Sequence, residues 1–228
     1  MSKKILVVLT TTEKYPTIAR PTGIWLGEAV HFVDKVEQAG YTVDYVSPLG
    51  GYTPIDPHSL AMAEPIDWAW YAKREFMNKL GNTLRPDQVK AADYAAIYFV
   101  GGHGVMWDFP DNTGLQALTR DIYEQGGIVS GVCHGVVGLL EVRLSNGKHL
   151  LEGKRVTGFS NEEERLAQLD QHVPFLTEDE LVRRGAAYAK ADAPWLPYAI
   201  SDQRLITGQN PASGGPVAEL LIKELRTA

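Results

Sequence analysis

The sequence predicts an α/β domain, a three-layer sandwich in which helices cover both faces of a mostly parallel central sheet. Three apolar runs support this prediction, at residues 3–10, 95–102 and 126–133. Each run is apolar throughout rather than alternating, which is typical of strands buried on both faces, as parallel strands are. Helical patterns separate the runs, and this regular alternation favours right-handed crossovers within one sheet.

Turn and capping residues mark the ends of several elements. Gly40 and Gly126 each stand where the glycine that ends a helix is expected, and Asn112 or Thr113 is suited to cap the helix that Gly126 closes. The predicted strands lie at residues 3–10, 41–47, 95–102, 126–133, 154–160 and 203–209. The predicted helices lie between and after them, at residues 23–39, 113–125, 134–141, 177–184 and 214–226.

Residues 48–92 interrupt the alternation of strands and helices, because this segment is far longer than the usual connection of about 2–6 residues. The segment contains several prolines, Trp68 and Trp70, and a predicted helix at 67–80. We interpret it as an insertion that forms a small cap packed over or beside the functional site. With it, residues 1–228 are predicted to form a single domain.

Composition excludes several classes of protein. The 22 lysines and arginines against 28 acidic residues give a net charge of −6, and no basic cluster suggests nucleic-acid binding. No segment approaches the roughly 20 apolar residues of a membrane helix. The apolar run at residues 5–9 is too short for a signal peptide. We therefore expect a cytoplasmic protein with no membrane partner.

The only cysteine of the chain, Cys133, lies in the sequence GVCHG. This is the G-x-C-x-G form of a nucleophile elbow, in which a strained turn exposes the central side chain at the carboxyl edge of the sheet. A helix beginning at His134 is expected to lower the pKa of the thiol. The alternative is a small buried apolar residue, but the flanking glycines and the adjacent histidine favour a reactive thiol.

Glu28 lies on the apolar stripe of the predicted helix 23–39, three residues after Trp25 and four before Phe32. A buried carboxyl is costly unless it is paired or protonated, and one near a reactive centre makes a good general acid or base. The alternative places Glu28 at the edge of the stripe, with its carboxylate in water.

The sequence GGHG follows the strand at 95–102 and places Gly101, Gly102 and His103 at the same sheet edge. Gly101 and Gly102 are candidate substrate-binding positions, and the backbone N–H of Gly102 is expected to form an oxyanion hole with that of His134. A plain tight turn is the alternative. His103 is either a substrate contact or a loop histidine bound to backbone. The chain has no ligand spacing typical of a metal site, so no metal is expected.

These motifs resemble the DJ-1/PfpI superfamily, whose fold is flavodoxin-like and related to the class I glutamine amidotransferase domain. The resemblance rests on PTGIWLGEAVHF, FVGGHGVMWDFP and GVCHGVVG. The segments DPHSL, VTGFSNEEE and YAISDQRLITGQNPAS are similar to the heat-shock-chaperone clade, which includes glutathione-independent glyoxalases. The similarity runs over nearly the whole chain. Val136 departs from it, because many relatives have proline at that position.

The resemblance implies a role for each motif. Cys133 would be the nucleophile, His134 its partner and Glu28 the acid or base, while Glu164 would complete a triad, with Glu163 only one residue away. The substrate would be a small carbonyl compound, a 2-oxoaldehyde such as methylglyoxal, converted to lactate without any cofactor. A homodimer is expected on the same resemblance.

Two other classes of function remain open from the residues. A cysteine hydrolase, acting as an amidase, peptidase or deglycase, would use the same elbow. A holdase chaperone would need an exposed apolar patch, and a redox sensor would need a readily oxidised Cys133. A glutamine amidotransferase is disfavoured, because such enzymes carry a catalytic H-x-E near the C-terminus and this chain has no histidine there.

Overall fold

A computed structural model describes residues 4–227, so the first residue of the predicted strand 3–10 lies outside the described part. The strands described are β1 (Lys4–Val8), β2 (Thr42–Val46), β3 (Ala96–Phe99), β4 (Ile128–Val132), β5 (Arg155–Val156), β6 (Ala187–Tyr188), β7 (Ala199–Asp202) and β8 (Leu205–Gly208). Six of them form one sheet in the order β2-β1-β3-β4-β8-β7, which is parallel except for β7. β5 and β6 form a separate two-stranded parallel sheet.

Helices pack on both faces of the central sheet. Successive side chains of β1 alternate between two buried clusters. Ile5 and Val7 join the cluster that contains the helices at 26–38 and 214–227, whereas Leu6 and Val8 join the cluster that contains the helix at 113–124. The predicted three-layer sandwich is therefore confirmed. The α-helices are α1 (Leu26–Gln38), α2 (Pro57–Ala61), α3 (Pro65–Tyr71), α4 (Arg74–Leu80), α5 (Val105–Asp108), α6 (Thr113–Glu124), α7 (Asn161–Leu166), α8 (Thr177–Arg183) and α9 (Gly214–Thr227). Among the helices described, none is long and apolar enough to cross a membrane.

The C-terminal strands differ most from the prediction. Of the strand predicted at 154–160, only the two residues of β5 are in strand conformation, and they lie outside the main sheet. Strand β7 was not predicted. β7 and β8 form an antiparallel hairpin that turns at Gln203 and Arg204, whose φ angles are +51° and +66°. Such turns usually carry asparagine or glycine, so this sequence gives no hairpin signal.

The inserted segment forms three short α-helices, α2, α3 and α4, rather than the one helix predicted at 67–80. α3 and α4 are separated at Ala72 and Lys73. The segment is attached to the chain just before α1, because Ile24 donates its N–H to Pro54 and accepts one from Asp56. These contacts hold α2 beside the start of α1, near the carboxyl edge of the sheet.

Candidate active site

The turn that carries Cys133 follows directly from β4. Cys133 has φ +57°, the strained geometry expected of the elbow, and it begins a 3-10 helix, Cys133–Leu139, instead of the α-helix predicted at 134–141. A Cβ atom at Gly135 would lie 2.4 Å from the carbonyl oxygen of Phe99. At Gly131 the nearest atom would be 3.4 Å away, so the second glycine of GVCHG is the stricter requirement.

Glu28 is fully buried in the first turn of α1 and faces the thiol. Its Oε2 accepts the backbone N–H of Gly101 at 2.8 Å, whereas Oε1 has no nitrogen or oxygen partner among the described residues. Burial raises the pKa of Glu28 to about 8, against a smaller lowering by hydrogen bonds from Cys133 and Gly101. The alternative of a carboxylate in water is therefore wrong.

Gly101 has a role that the sequence did not predict. Its N–H is donated to Oε2 of Glu28, so Gly101 holds the carboxyl in place. Its predicted role in substrate binding stays a prediction. A Cβ atom at this position would lie 2.5 Å from Oε2 of Glu28, so only glycine allows this close approach.

The expected lowering of the thiol pKa is also wrong. Burial raises the pKa of Cys133 well above its usual range, and the nearby Glu28 carboxyl raises it further. The backbone N–H of His134 acts in the opposite direction but does not compensate, because the short 3-10 helix offers little against full desolvation. The thiol therefore needs a neighbouring base before it can act as a nucleophile.

His134 is placed to be that base. Its Nδ1 lies 3.4 Å from Sγ of Cys133, and its Nε2 lies 2.6 Å from Oε2 of Glu164, in the first turn of α7. Although burial alone raises the pKa of Glu164, the charge of His134 and the hydrogen bonds of His134 and His103 hold it well below its usual range. The structure thus brings Cys133, His134 and Glu164 into one line of contacts.

Glu163 is directed away from this line. Its carboxylate accepts hydrogen bonds from the N-cap of α7 and from two later segments of the chain, and it is fully buried. The donors are Ser160, Trp195, Gln209 and Asn210. Glu163 therefore joins three segments around the site, while Glu164 contacts the histidines.

His103 makes a contact that the sequence alone did not indicate. It lines the cavity above Cys133, but its Nε2 is 2.8 Å from Oε1 of Glu164, so this carboxylate binds two histidines. Burial, followed by the charge of His134, lowers the pKa of His103. No local pattern reveals the contact, because His103 and Glu164 are 61 residues apart.

The same three residues, His103, His134 and Glu164, are the group with the spacing of a potential metal site. One ligand atom from each lies within 4.8 Å of the others. Both Nε2 atoms are already hydrogen-bonded to Glu164, so the three groups satisfy one another without an ion.

A cavity of about 430 Å³ opens above the thiol. Cys133, His134 and Gly102 lie at its floor, and Gly102 has φ +102°. His58 and Met62 of the inserted segment 48–92 contribute to its wall. The aromatic side chains of Phe159 and Trp195 also line it, and no pattern in the sequence indicated either residue.

The fold and this cluster define a class of protein: α/β sandwiches with a cysteine at the turn after a central parallel strand and a buried carboxyl beside the thiol. Residues 23–224 match the model of the DJ-1/PfpI family. The chain belongs to the DJ-1/PfpI family, as its motifs predicted.

Individual relatives are similar over almost their entire length. Glutathione-independent glyoxalase HSP31 of Saccharomyces cerevisiae is 33% identical, with 98% of each chain covered. The X-ray structure of Francisella tularensis Rapid Encystment Protein 24 KDa is 37% identical with a TM-score of 0.94, covering 99% of both chains. The crystal structure of glyoxalase III from Candida albicans is 27% identical with a TM-score of 0.88, covering 96% of both. These likenesses confirm the flavodoxin-like fold.

Proposed function

We propose that this chain is a glutathione-independent, cofactor-independent glyoxalase, a lyase that converts methylglyoxal and similar 2-oxoaldehydes to 2-hydroxy acids. The observation that carries the proposal is the buried Glu28 carboxyl, directed at a thiol that also contacts a histidine–carboxylate pair. Similarity to HSP31 and to glyoxalase III, both named as glyoxalases, supports it.

The first step forms a carbon–sulfur bond. The thiol of Cys133 gives its proton to Nδ1 of His134, and the sulfur adds to the aldehyde carbon to form a hemithioacetal. Glu164 stabilises the resulting imidazolium and fixes the tautomer that leaves Nδ1 free to accept. Gly102 and His134 border the cavity beside the sulfur, where their N–H groups would stabilise the new oxyanion.

The second step moves a proton between two carbons. As a carboxylate, Glu28 removes the proton from the carbon bound to sulfur, and the enediol so formed is reprotonated at the neighbouring carbon. A pKa of about 8 suits this proton transfer, because both the carboxylic acid and the carboxylate of Glu28 are then accessible at neutral pH. Water then hydrolyses the thioester and releases lactate and the free thiol.

The test is a glutathione-free assay of the purified protein with methylglyoxal, with lactate measured directly. The same preparation is given small esters and amides. Lactate formation with little ester or amide cleavage supports the glyoxalase; amide or ester cleavage without lactate supports the cysteine hydrolase instead.

A redox-sensor function fits the site less well. Oxidation follows the thiolate fraction, and burial keeps Cys133 protonated. The homodimer expected from the resemblance stays a prediction, as does the cytoplasmic location.

Two adjacent glutamates give a matched pair of variants. We expect Glu164→Gln to lower kcat about 10²–10³-fold, because an amide that donates to Nε2 of His134 would force the proton onto Nδ1. Its melting temperature should fall by only a few degrees: the histidines stabilise the ionised carboxylate in the folded protein, but the amide can still hydrogen-bond both rings. Steady-state kinetics and melting curves check both statements.

Glu163→Gln should show the opposite pattern. It places an amide NH₂ group among donors, which costs about 3 kcal/mol and lowers Tm by roughly 10 °C. The protein that remains folded should keep most of its kcat. Equal effects of the two substitutions on kcat would contradict the assignment of Glu164.

A further inference from the structure

The cavity above Cys133 is strongly apolar for a site that handles a small, water-soluble aldehyde. Among the described residues that line it, none is a lysine, arginine, aspartate or glutamate. The polar lining consists of three histidines, Asn210 and the cysteine itself. Such a cavity offers no fixed charge to a phosphate or carboxylate, and it disfavours ions by desolvation.

The cavity is also much larger than methylglyoxal requires. Its volume of about 430 Å³ lies within the range of about 300–1,000 Å³ that is usual for drug-sized ligands. Methylglyoxal has only one methyl group beyond its two carbonyls. When such a substrate is bound at Cys133, most of the apolar wall would contact nothing.

Aromatic rings connect the reacting centre to the mouth of the cavity. The ring of Phe159 lies 4.3 Å from that of His134, and the ring of Trp195 lies 5.7 Å from that of Phe159. Across the cavity, Trp25 packs edge-on against His58 at 5.5 Å. A planar apolar group attached to a carbonyl at Cys133 would therefore have aromatic side chains within reach on the path to the mouth of the cavity.

The backbone of Trp195 is held in an unfavourable conformation. Its φ of +66° lies in the left-handed region, which bulky residues rarely adopt, so the surrounding contacts must hold it there. Its N–H donates to Oε1 of the buried Glu163 at 2.9 Å, which fixes the loop. The side chain is still 46% exposed, so this tethering positions a ring at the cavity rather than filling the core.

We propose that the site selects uncharged 2-oxoaldehydes with a bulky apolar substituent, above all an aromatic one, and that Trp195 determines this selectivity. The proposal rests on the proposed glyoxalase function and specifies its substrate class. For phenylglyoxal the reaction adds one water and yields mandelate. The aldehyde carbon is oxidised and the ketone carbon reduced within one molecule, so no external oxidant or reductant is needed.

The test compares kcat/KM for methylglyoxal, phenylglyoxal and para-carboxyphenylglyoxal, with the 2-hydroxy acid products measured directly. For the wild type we expect phenylglyoxal to exceed methylglyoxal by about 10-fold or more, as apolar pocket contacts allow. The para-carboxylate should fall at least about 10-fold below phenylglyoxal, because its charge has no partner in the cavity.

Two tryptophans of equal exposure provide the variant and its control. Trp195→Ala should reduce the ratio of phenylglyoxal to methylglyoxal kcat/KM by about 10-fold, and Trp195→Phe should restore most of it. Trp68 is also 46% exposed, but it packs edge-on against Tyr71 and does not line the cavity. Trp68→Ala should leave the ratio unchanged.

The outcomes separate the two proposals. Lactate formation with no preference for phenylglyoxal, or an equal ratio in wild type and Trp195→Ala, overturns the selectivity and leaves the glyoxalase intact. Efficient turnover of the para-carboxylate overturns the selectivity as well. Absence of any 2-hydroxy acid from all three substrates overturns the glyoxalase, and the selectivity with it.

Discussion

Replacing Cys133 by alanine is expected to abolish the conversion of methylglyoxal to lactate, a loss of at least about 10³-fold in kcat/KM. Sγ is the atom that bonds to the aldehyde carbon in the proposed mechanism, and it is the only thiol in the chain. His134 and Glu164 would remain hydrogen-bonded to each other, but they would have no nucleophile to deprotonate. Lactate release by the purified variant, over a long incubation, measures the loss.

The fold should survive this substitution. Alanine retains the Cβ at the strained turn and removes one sulfur from a site that already opens into a cavity. The melting temperature should therefore change by only a few degrees. Full activity of a folded Cys133→Ala variant would show that another group performs the addition.

Glu28→Gln is expected to lower kcat by about 10²–10⁴-fold, because an amide cannot carry a proton between two carbons. Glutamine has the same shape, and its oxygen can still accept the N–H of Gly101, so the helix should remain docked. Glu37→Gln is the matched control: it lies on the exposed face of the same helix, and activity should be unaffected. Retention of full activity by Glu28→Gln would contradict the acid–base role.

The same variant should change how stability depends on pH. In the folded protein the pKa of Glu28 is about 8, against 4.5 for an unperturbed glutamate. Between these values the folded state keeps a proton that the unfolded chain has lost, so this group makes the wild type less stable as pH rises, by up to about 1.4 kcal/mol per unit. Glutamine lacks this titration.

Urea unfolding of both proteins at several pH values between about 5 and 8 measures this effect. The free energy of unfolding of Glu28→Gln should rise relative to that of the wild type across the interval. A constant difference would show that Glu28 titrates near its ordinary pKa.

The sequence predicted those features that depend on local pattern. Uninterrupted apolar runs identified β1, β3 and β4, and the stripe around Glu28 identified a buried carboxyl on α1. GVCHG located the strained turn at Cys133. Each of these follows from side chains within a few residues of one another, where periodicity and steric rules apply directly.

Features that depend on distant contacts were missed. The contact of His103 with Glu164, and the tether of Trp195 to Glu163, join segments that no sequence period links. The predicted lowering of the pKa of Cys133 was wrong for a related reason. The helix start that favours the thiolate is visible in the sequence, but the burial that raises the pKa comes from the whole fold. The β7–β8 hairpin was not predicted, because Gln203 and Arg204 are unusual residues for such a turn.

The order of strands has a consequence for the newly made chain. β4, which carries Cys133 at its end, pairs with β3 on one side and with β8 on the other, and β8 starts only at Leu205. During synthesis β4 therefore remains an open edge until residues 205–208 have left the ribosome. Nascent chains that end before β8 should therefore be the forms most prone to aggregate through this edge.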